Sequence, residues 1–105
     1  MFMVMNMNLS EQLIEKYGED YQIDRAIEEM SELTKALLKF RRYEDCWKYK
    51  DEFSKYRKDI LEEWVDVGLS LTHIKTIFGF SEDEKGATIY LKSKKIQKEL
   101  ENERV

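Results

Sequence analysis

The chain has 105 residues, of which 42% are hydrophobic and 38% charged, a balance typical of one globular domain and not of a disordered chain. Proline is absent and glycine occurs four times, so the scarcity of turn-forming residues favours long helices over a many-turned β fold. The net charge of −4 excludes a broad basic surface, and no nucleic-acid partner is expected.

The cysteine content and the apolar runs bear on location. The single cysteine, Cys46, has no partner for an internal disulfide, which fits a reducing compartment. No apolar run approaches the roughly 18 residues of a membrane span, and the first residues lack the charged start of a signal peptide. We therefore expect one domain over residues 1–105, cytoplasmic and without a membrane partner, with residues 1–9 as a ragged N-terminal arm.

Two helices are predicted in the first 42 residues. Ser10 is the expected N-cap of a short helix that Gly18 ends. A second helix is predicted from Glu19 or Asp20 to about Arg42. Its apolar residues follow the i, i+3, i+4, i+7 spacing of an amphipathic helix: Ile23, Ala26, Ile27, Met30, Leu33, Leu37 and Leu38.

Residues 43–58 form a connector in which aromatic residues stand among many charges. This composition fits either a loop or a solvated helical extension. The aromatic side chains either pack against a partner, such as a second subunit or a nucleotide base, or fix the connector to its own domain. The aromatic residues in question are Tyr43, Trp47, Tyr49, Phe53 and Tyr56.

Two further helices are predicted in the second half of the chain. One runs from about Asp59 to Phe78, is apolar on nearly all sides and is therefore expected to be buried, with Gly79 ending it. Residues 81–84, Ser-Glu-Asp-Glu, have the form of a capping box that opens a last, strongly charged helix reaching about Glu103. The predicted fold is all-α, an antiparallel pair of long helices flanked by two shorter ones.

Two pairs of acidic residues lie three positions apart, which makes the members of each pair neighbours on a helix. On the second helix Glu29 borders the apolar arc, and Glu32 lies further round. On the third helix Glu63 and Asp66 fall on the side expected to be buried. Facing pairs would repel each other unless a cation joined them, and clustered carboxylates suit Mg²⁺ or Mn²⁺. Alternatively, these are ordinary surface acids paired with nearby lysines: Lys35, Lys39 or Lys75.

These motifs resemble the signature of the MazG-like all-α nucleoside triphosphate pyrophosphohydrolases. The resemblance rests on Glu28-Glu29-x-x-Glu32 followed by Glu63-x-x-Asp66, and it covers residues 17–98. It also includes the flanking segments Gln22-x-x-x-Ala26-Ile27, Lys39-x-x-Arg42, Asp59-Ile60-Leu61-Glu62 and Lys92-x-x-Lys95-Ile96. The segment between the two motifs is longer than is usual in the family, so residues 43–58 resemble an insertion that alters the substrate pocket.

The resemblance implies hydrolysis of a (deoxy)nucleoside triphosphate to the monophosphate and pyrophosphate. By position, Glu29, Glu32, Glu63 and Asp66 would bind Mg²⁺, and Glu28 would be the base for the attacking water, although helical geometry points Glu28 away from the apolar face. Four cations are the expected phosphate partners: Lys39, Arg42, Lys92 and Lys95. Gln22, Trp47 or a connector tyrosine would meet the base.

Other functions fit the same residues. A relative of the same superfamily would hydrolyse phosphoribosyl-ATP or dUTP, and a helical oligomerisation or adaptor module would use the acids structurally. The single histidine, His73, cannot supply the paired Glu-x-x-His motifs of di-iron bundles and is expected to be structural or solvated. Because four helices of this size bury too little of the third, we expect a homodimer or a dimer of dimers.

Overall fold

The computed structural model describes the backbone of residues 7–43 and 50–103 and, within the second range, side chains from residue 52 onward. All the regular structure in these residues is helical: α1 (Leu9–Tyr17), α2 (Glu19–Arg41), α3 (Lys50–Phe78) and α4 (Glu82–Glu103). The predicted all-α fold is confirmed. Among the described helices, none has both the length and the apolar character needed to cross a bilayer. Most of the predicted N-terminal arm, residues 1–6, and Trp47 lie outside the described residues.

Helix α1 starts earlier than the sequence predicts, because its N-cap is Asn8 and not Ser10. The Asn8 side chain accepts a hydrogen bond from the backbone N–H of Glu11 at 2.9 Å, which satisfies one of the free amides at the helix start. Ser10 lies inside the helix and is buried. Gly18 ends the helix as predicted, with φ of 89°, a conformation that favours glycine.

Helices α2 and α3 form the antiparallel pair that organises the molecule. Along α2, Phe40 packs edge-on against Phe53 at the start of α3, with ring centroids 6.3 Å apart. Earlier on α2, Glu29 meets Glu63 and Asp66, so contacts toward the start of α2 involve later residues of α3. The inner face of α2 contains Gln22, Ala26, Glu29, Leu33, Ala36 and Phe40, and that of α3 contains Phe53, Tyr56, Ile60, Glu63, Val67, Ser70, Ile74 and Ile77.

Helix α3 begins at Lys50, and the predicted start near Asp59 is wrong. Much of the connector is therefore the helical extension that the sequence left open. Tyr43 lies 5.2 Å from Tyr56 between ring centroids, and Phe53 and Tyr56 both contact Phe40. These aromatic residues pack within their own chain, which is the second of the two alternatives for the connector.

Helix α4 opens with the predicted capping box. The Ser81 amide donates to the Glu84 carboxylate at 2.8 Å, and the Glu84 amide donates to the Ser81 hydroxyl at 3.1 Å. A Lys75–Glu82 ion pair ties the end of α3 to the start of α4. With 22 residues, against 23 in α2, α4 is not one of the shorter helices that the sequence predicts. Every residue of α4 is exposed.

The apolar core of the single chain is small. Ala26, with 2% of its surface exposed, is the only buried hydrophobic residue among those described. The prediction that α3 is buried all round is wrong, since Trp64 is 64% exposed and Phe78 59% exposed. The reason is geometric: α1 and α2 cover only part of the circumference of α3, and α4 leaves the rest open.

Candidate metal centre

The α2–α3 contact brings three of the four predicted metal ligands together. Glu29, Glu63 and Asp66 each offer a carboxylate oxygen, and the three oxygens lie within 4.8 Å of one another. Glu29 and Glu63 occupy inner-face positions that an amphipathic helix normally fills with apolar side chains, and only 14% of the Glu29 side chain is exposed. Asp66 stands at the edge of the contact and is exposed, so its predicted burial is wrong.

Glu32, the fourth predicted ligand, lies beside the group of three. Its carboxylate pairs with Lys35 at 3.2 Å, which is one of the lysine pairs offered by the alternative of ordinary surface acids. Glu32 is nevertheless near enough to Glu63 to act on its ionisation. The acidic side chains of both motifs therefore share one region of negative potential, and we call Glu29, Glu63 and Asp66 the acidic cluster.

The pKa of Glu63 is raised above its ordinary value. Removal of the carboxylate from water is the largest cause, followed by the charges of Asp66, Glu29, Glu32 and Glu62, in that order. Both effects disfavour the ionised form of the side chain. At neutral pH the folded protein therefore holds together carboxylates that repel one another.

This repulsion predicts a pH-dependent stability in buffer without divalent metal. Because the pKa of Glu63 is higher in the folded protein, its contribution to folding is complete at acidic pH and is lost as the pH rises through that raised pKa. A Glu63→Gln variant, whose side chain does not ionise, should therefore have a higher melting temperature than the wild type at neutral pH. Near about pH 3 the two melting temperatures should be equal. Thermal melts across this range, with Glu99→Gln on α4 as the control, test the prediction. A difference in melting temperature between Glu63→Gln and the wild type that does not change with pH would contradict it.

One cation sits directly against the acidic cluster. The Arg25 guanidinium lies 3.2 Å from a Glu29 carboxylate oxygen and 3.7 Å from one of Glu28. Within the described parts of the chain, neither Glu63 nor Asp66 has an ion-pair partner. Arg25 therefore neutralises one of the three carboxylates and leaves the other two uncompensated.

A cleft of about 420 Å³ opens beside the acidic cluster. Its walls come from α1, α2 and α3 and combine aromatic, amide, cationic and acidic groups. Tyr17 and Tyr21, stacked at 5.1 Å between centroids, form one side. The lining residues are Leu13, Tyr17, Tyr21, Gln22, Arg25, Glu29, Asp66, Leu69, Ser70 and His73.

A hydrogen bond fixes α1 over this cleft. The Ser10 hydroxyl lies 2.7 Å from Nδ1 of His73, joining residues 63 positions apart. His73 also lines the cleft, so it is neither simply solvated nor remote from the acidic cluster. Its structural role agrees with one of the expected alternatives.

The structure places the other predicted site residues unevenly. Gln22 is buried and lines the cleft, and its contact with a base stays a prediction. Glu28 is 62% exposed on its side chain and lies outside the acidic cluster. Lys39, ten residues beyond Glu29, is roughly 15 Å further along α2, and Arg42 caps that helix. Lys92 lines a different groove, between α3 and α4, and Lys95 is an exposed residue of the same helix.

Sequence reasoning predicted Gln22, Glu29 and Asp66 as site residues but assigned no site role to the other residues of the cleft. Arg25 precedes Glu28 by three positions and Glu29 by four, spacings that place it on their side of the helix. Ser70 and His73 follow Asp66 by four and seven, which places all three on one side of α3. These spacings can be read from the sequence. The side of the cleft that α1 supplies depends on the tertiary fold, which the local sequence does not specify.

The donor set of the acidic cluster suits a hard divalent cation. Three carboxylates supply oxygen ligands of the kind that Mg²⁺ and Mn²⁺ prefer, and nitrogen or sulfur ligands are not among them. The charge of a bound cation would also offset the repulsion among the carboxylates, which adds to desolvation in raising the pKa of Glu63. No protein-family model, no curated protein and no solved structure matches this chain.

Proposed function

We propose that the protein hydrolyses a (deoxy)nucleoside triphosphate to the monophosphate and pyrophosphate with the help of Mg²⁺, or of Mn²⁺. The observation that carries the proposal is the convergence of Glu29, Glu63 and Asp66 from two different helices. Glu29 and Glu63 occupy facing inner positions of α2 and α3, where apolar side chains are usual. The motif resemblance described above supplies the reaction class, and the donor chemistry supports it.

In this proposal the acidic cluster holds the metal, with Glu32 close enough to join it. Bound Mg²⁺ would neutralise triphosphate oxygens and make a water molecule more acidic. The attack of water on the α-phosphorus forms one P–O bond, and the α–β bridging P–O bond breaks as pyrophosphate leaves. Glu28 remains a predicted base for this water, one that depends on a neighbouring subunit to enclose it.

The cleft would receive the nucleoside. Buried Gln22 has an amide able to donate to and accept from a base edge. The stacked Tyr17 and Tyr21 rings offer an aromatic surface, and Arg25 stands between the cleft and the acidic cluster. In this arrangement the base and the phosphates would lie on opposite sides of Arg25.

The direct test is pyrophosphate release from a panel of nucleotides with and without Mg²⁺. Release from one or more nucleoside triphosphates, dependent on divalent metal, is the expected result. Turnover confined to dUTP or phosphoribosyl-ATP would assign the protein to a related activity. No release from any nucleotide, together with no change in melting temperature on adding Mg²⁺ or Mn²⁺, would contradict the proposal.

An adaptor function is the second candidate. The observation that favours it is α4, which is exposed along its whole length and carries Ile89, Ile96 and Leu100 at more than half exposure. An adaptor would keep the same fold and the same surfaces without metal or nucleotide. We also propose self-association, as a homodimer or a dimer of dimers, and a cytoplasmic location consistent with one cysteine.

Removal of the Arg25 charge should strengthen metal binding. Arg25 competes with a cation for Glu29, so Arg25→Gln is expected to bind Mn²⁺ about three- to tenfold more tightly in the absence of nucleotide. Titration followed by the Mn²⁺ electron paramagnetic resonance signal measures the affinity. Arg41→Gln, the same change near the end of α2, is the matched control. Weaker binding by Arg25→Gln would instead mean that Arg25 orients Glu29 as a ligand.

A further inference from the structure

Two buried residues of the cleft lining are polar. Gln22 of α2 has 6% of its surface exposed and Ser70 of α3 has 8%, and both line the cleft beside the acidic cluster. We call these two residues the polar pair. Both occupy inner-face positions that an amphipathic helix normally fills with apolar side chains. Their polarity therefore has a reason other than the packing of α2 against α3.

The polar pair is placed by the same helix contact that forms the acidic cluster. Gln22 lies seven residues before Glu29 on α2, and Ser70 lies seven residues after Glu63 on α3. Seven residues are close to two helical turns, so in this antiparallel pair Gln22 faces Ser70 as Glu29 faces Glu63. The polar pair and the acidic cluster are therefore roughly 10 Å apart along the helix axes. Arg25 stands between them on α2.

The hydrogen-bonding groups of the polar pair are not used by the protein. On the same helix as Ser70, the hydroxyls of Thr72 and Thr76 each donate to a carbonyl oxygen one turn earlier, at 3.1 Å. Within the described residues, the Ser70 hydroxyl and the Gln22 side-chain amide have no such partner. No fully enclosed side-chain nitrogen or oxygen in this part of the chain lacks a partner, so these polar atoms open on the cleft. A ligand that supplied the missing hydrogen bonds would remove the cost of leaving them unpaired.

The surroundings of the polar pair suit a flat ligand with a hydrogen-bonding edge. The Gln22 amide offers donors and an acceptor side by side, and the Ser70 hydroxyl can act as either. The stacked Tyr17 and Tyr21 rings form an aromatic wall of the same cleft, on which a planar heterocycle can stack. A nucleobase combines a planar ring with an edge of donors and acceptors, so its chemistry fits both features.

We propose that Gln22 and Ser70 together bind the hydrogen-bonding edge of a nucleobase and make that edge a requirement for binding. The sugar would then span the roughly 10 Å between the base and the phosphates at the acidic cluster. The inference rests on the proposed function for naming the ligand a nucleotide. It adds Ser70 to the binding residues and predicts that bases without a polar edge are rejected, because the buried protein groups would be left unpaired.

Nucleoside binding to the full chain tests the polar pair without requiring turnover. By titration calorimetry, at least one of adenosine, guanosine, cytidine, uridine and thymidine should bind at millimolar concentration. Deoxyribose and the difluorotoluene isostere of thymidine should not bind. Gln22→Leu should weaken the tightest-binding nucleoside about tenfold to 100-fold, and Ser70→Ala about tenfold. Gln97→Leu and Ser93→Ala, the same changes on the exposed surface of α4, should bind like the wild type.

Two further measurements separate ligand contact from a structural role. Without ligand, Gln22→Leu and Ser70→Ala should melt at or above the wild-type temperature, because each removes a buried polar group that lacks a protein partner. In the wild type, the side-chain amide resonance of Gln22 should shift when the nucleoside is added and that of Gln97 should not, a readout that depends on no variant. A lower melting temperature with unchanged nucleoside affinity would assign the pair a structural role. That result, an unmoved Gln22 resonance at saturation, or no binding of any nucleoside would each overturn the proposal.

The failure of this inference can be distinguished from the failure of the proposed hydrolase. Nucleosides that bind through the polar pair of a protein that releases no pyrophosphate would remove the hydrolase and keep the base site. Pyrophosphate released as fast from deoxyribose triphosphate as from any nucleotide would keep the hydrolase and overturn the base site.

Discussion

Replacing Glu63 with glutamine is expected to reduce metal-dependent pyrophosphate release by about 100-fold or more. Loss even of a group that only orients a metal ligand costs about 10–100-fold, so loss of a ligand should cost at least the upper end of that range. Glu63 belongs to the acidic cluster, and its carboxylate is close enough to those of Asp66 and Glu29 for their charges to raise its pKa. The amide keeps the shape of the side chain but loses the charge that attracts the cation.

The matched control for this experiment is Glu62→Gln. Glu62 is the neighbouring residue, is exposed and undergoes the same chemical change, but it is not a member of the acidic cluster. It should keep most of the activity and the stabilisation by Mg²⁺. Equal losses in both variants would mean that general negative charge matters and not ligation. Full activity in Glu63→Gln would remove the metal site from the proposal.

Helix periodicity made most of the fold predictable. The spacing of apolar residues identified α2, and Gly18 and Gly79, both with positive φ, ended their helices where predicted. The start of α3 was missed because residues 50–58 lack aliphatic side chains. Phe53 and Tyr56 nevertheless continue the inner-face spacing of Ile60 and Glu63, so aromatic residues replace aliphatic ones in the first turns of α3.

The acidic cluster was predictable only in part. Spacing within a helix identifies the pairs, because residues three apart are neighbours. Which member of each pair points at the other helix depends on how α2 and α3 cross. In the observed crossing, the carboxylates of Glu29, Glu63 and Asp66 come together, whereas Glu32 pairs with Lys35.

The predicted cations illustrate the same limit. Lys39 and Lys92 are at the positions that the resemblance implies, yet the single chain does not bring them to the acidic cluster. The position of a charged side chain relative to a site on another helix depends on tertiary and quaternary arrangement, not on local sequence. Arg25, one turn before Glu29, reaches the cluster because its position is fixed by the helix alone.

The apolar residues of α3 led to a prediction of burial that the single chain does not satisfy. The inner face, which includes Val67 and Ile74, packs as expected, whereas Trp64, Leu71 and Phe78 remain exposed. Apolar residues on several sides of a helix indicate that these sides are buried. They do not indicate whether the same chain or another molecule buries them.

Enlarging Ala26 should have the greatest effect on stability. Ala26 is 2% exposed and lies one turn before Glu29 on the inner face of α2, where the absence of a larger side chain lets α3 approach. Ala26→Leu would insert three carbons into this contact, at a cost of about 1–3 kcal/mol. The helices would be forced apart beside the acidic cluster, and Mn²⁺ affinity should fall by about tenfold or more as the carboxylates separate.

Chemical denaturation and Mn²⁺ titration of the same sample measure both effects. Ala87→Leu, the same substitution on the exposed face of α4, is the control and should change neither quantity appreciably. A variant that loses stability but keeps its metal affinity would show that the acidic side chains adjust to a wider helix separation. A variant that keeps both would mean that the close approach at Ala26 does not position Glu29 against Glu63, and the physical basis of the acidic cluster would then have to lie elsewhere in the α2–α3 contact.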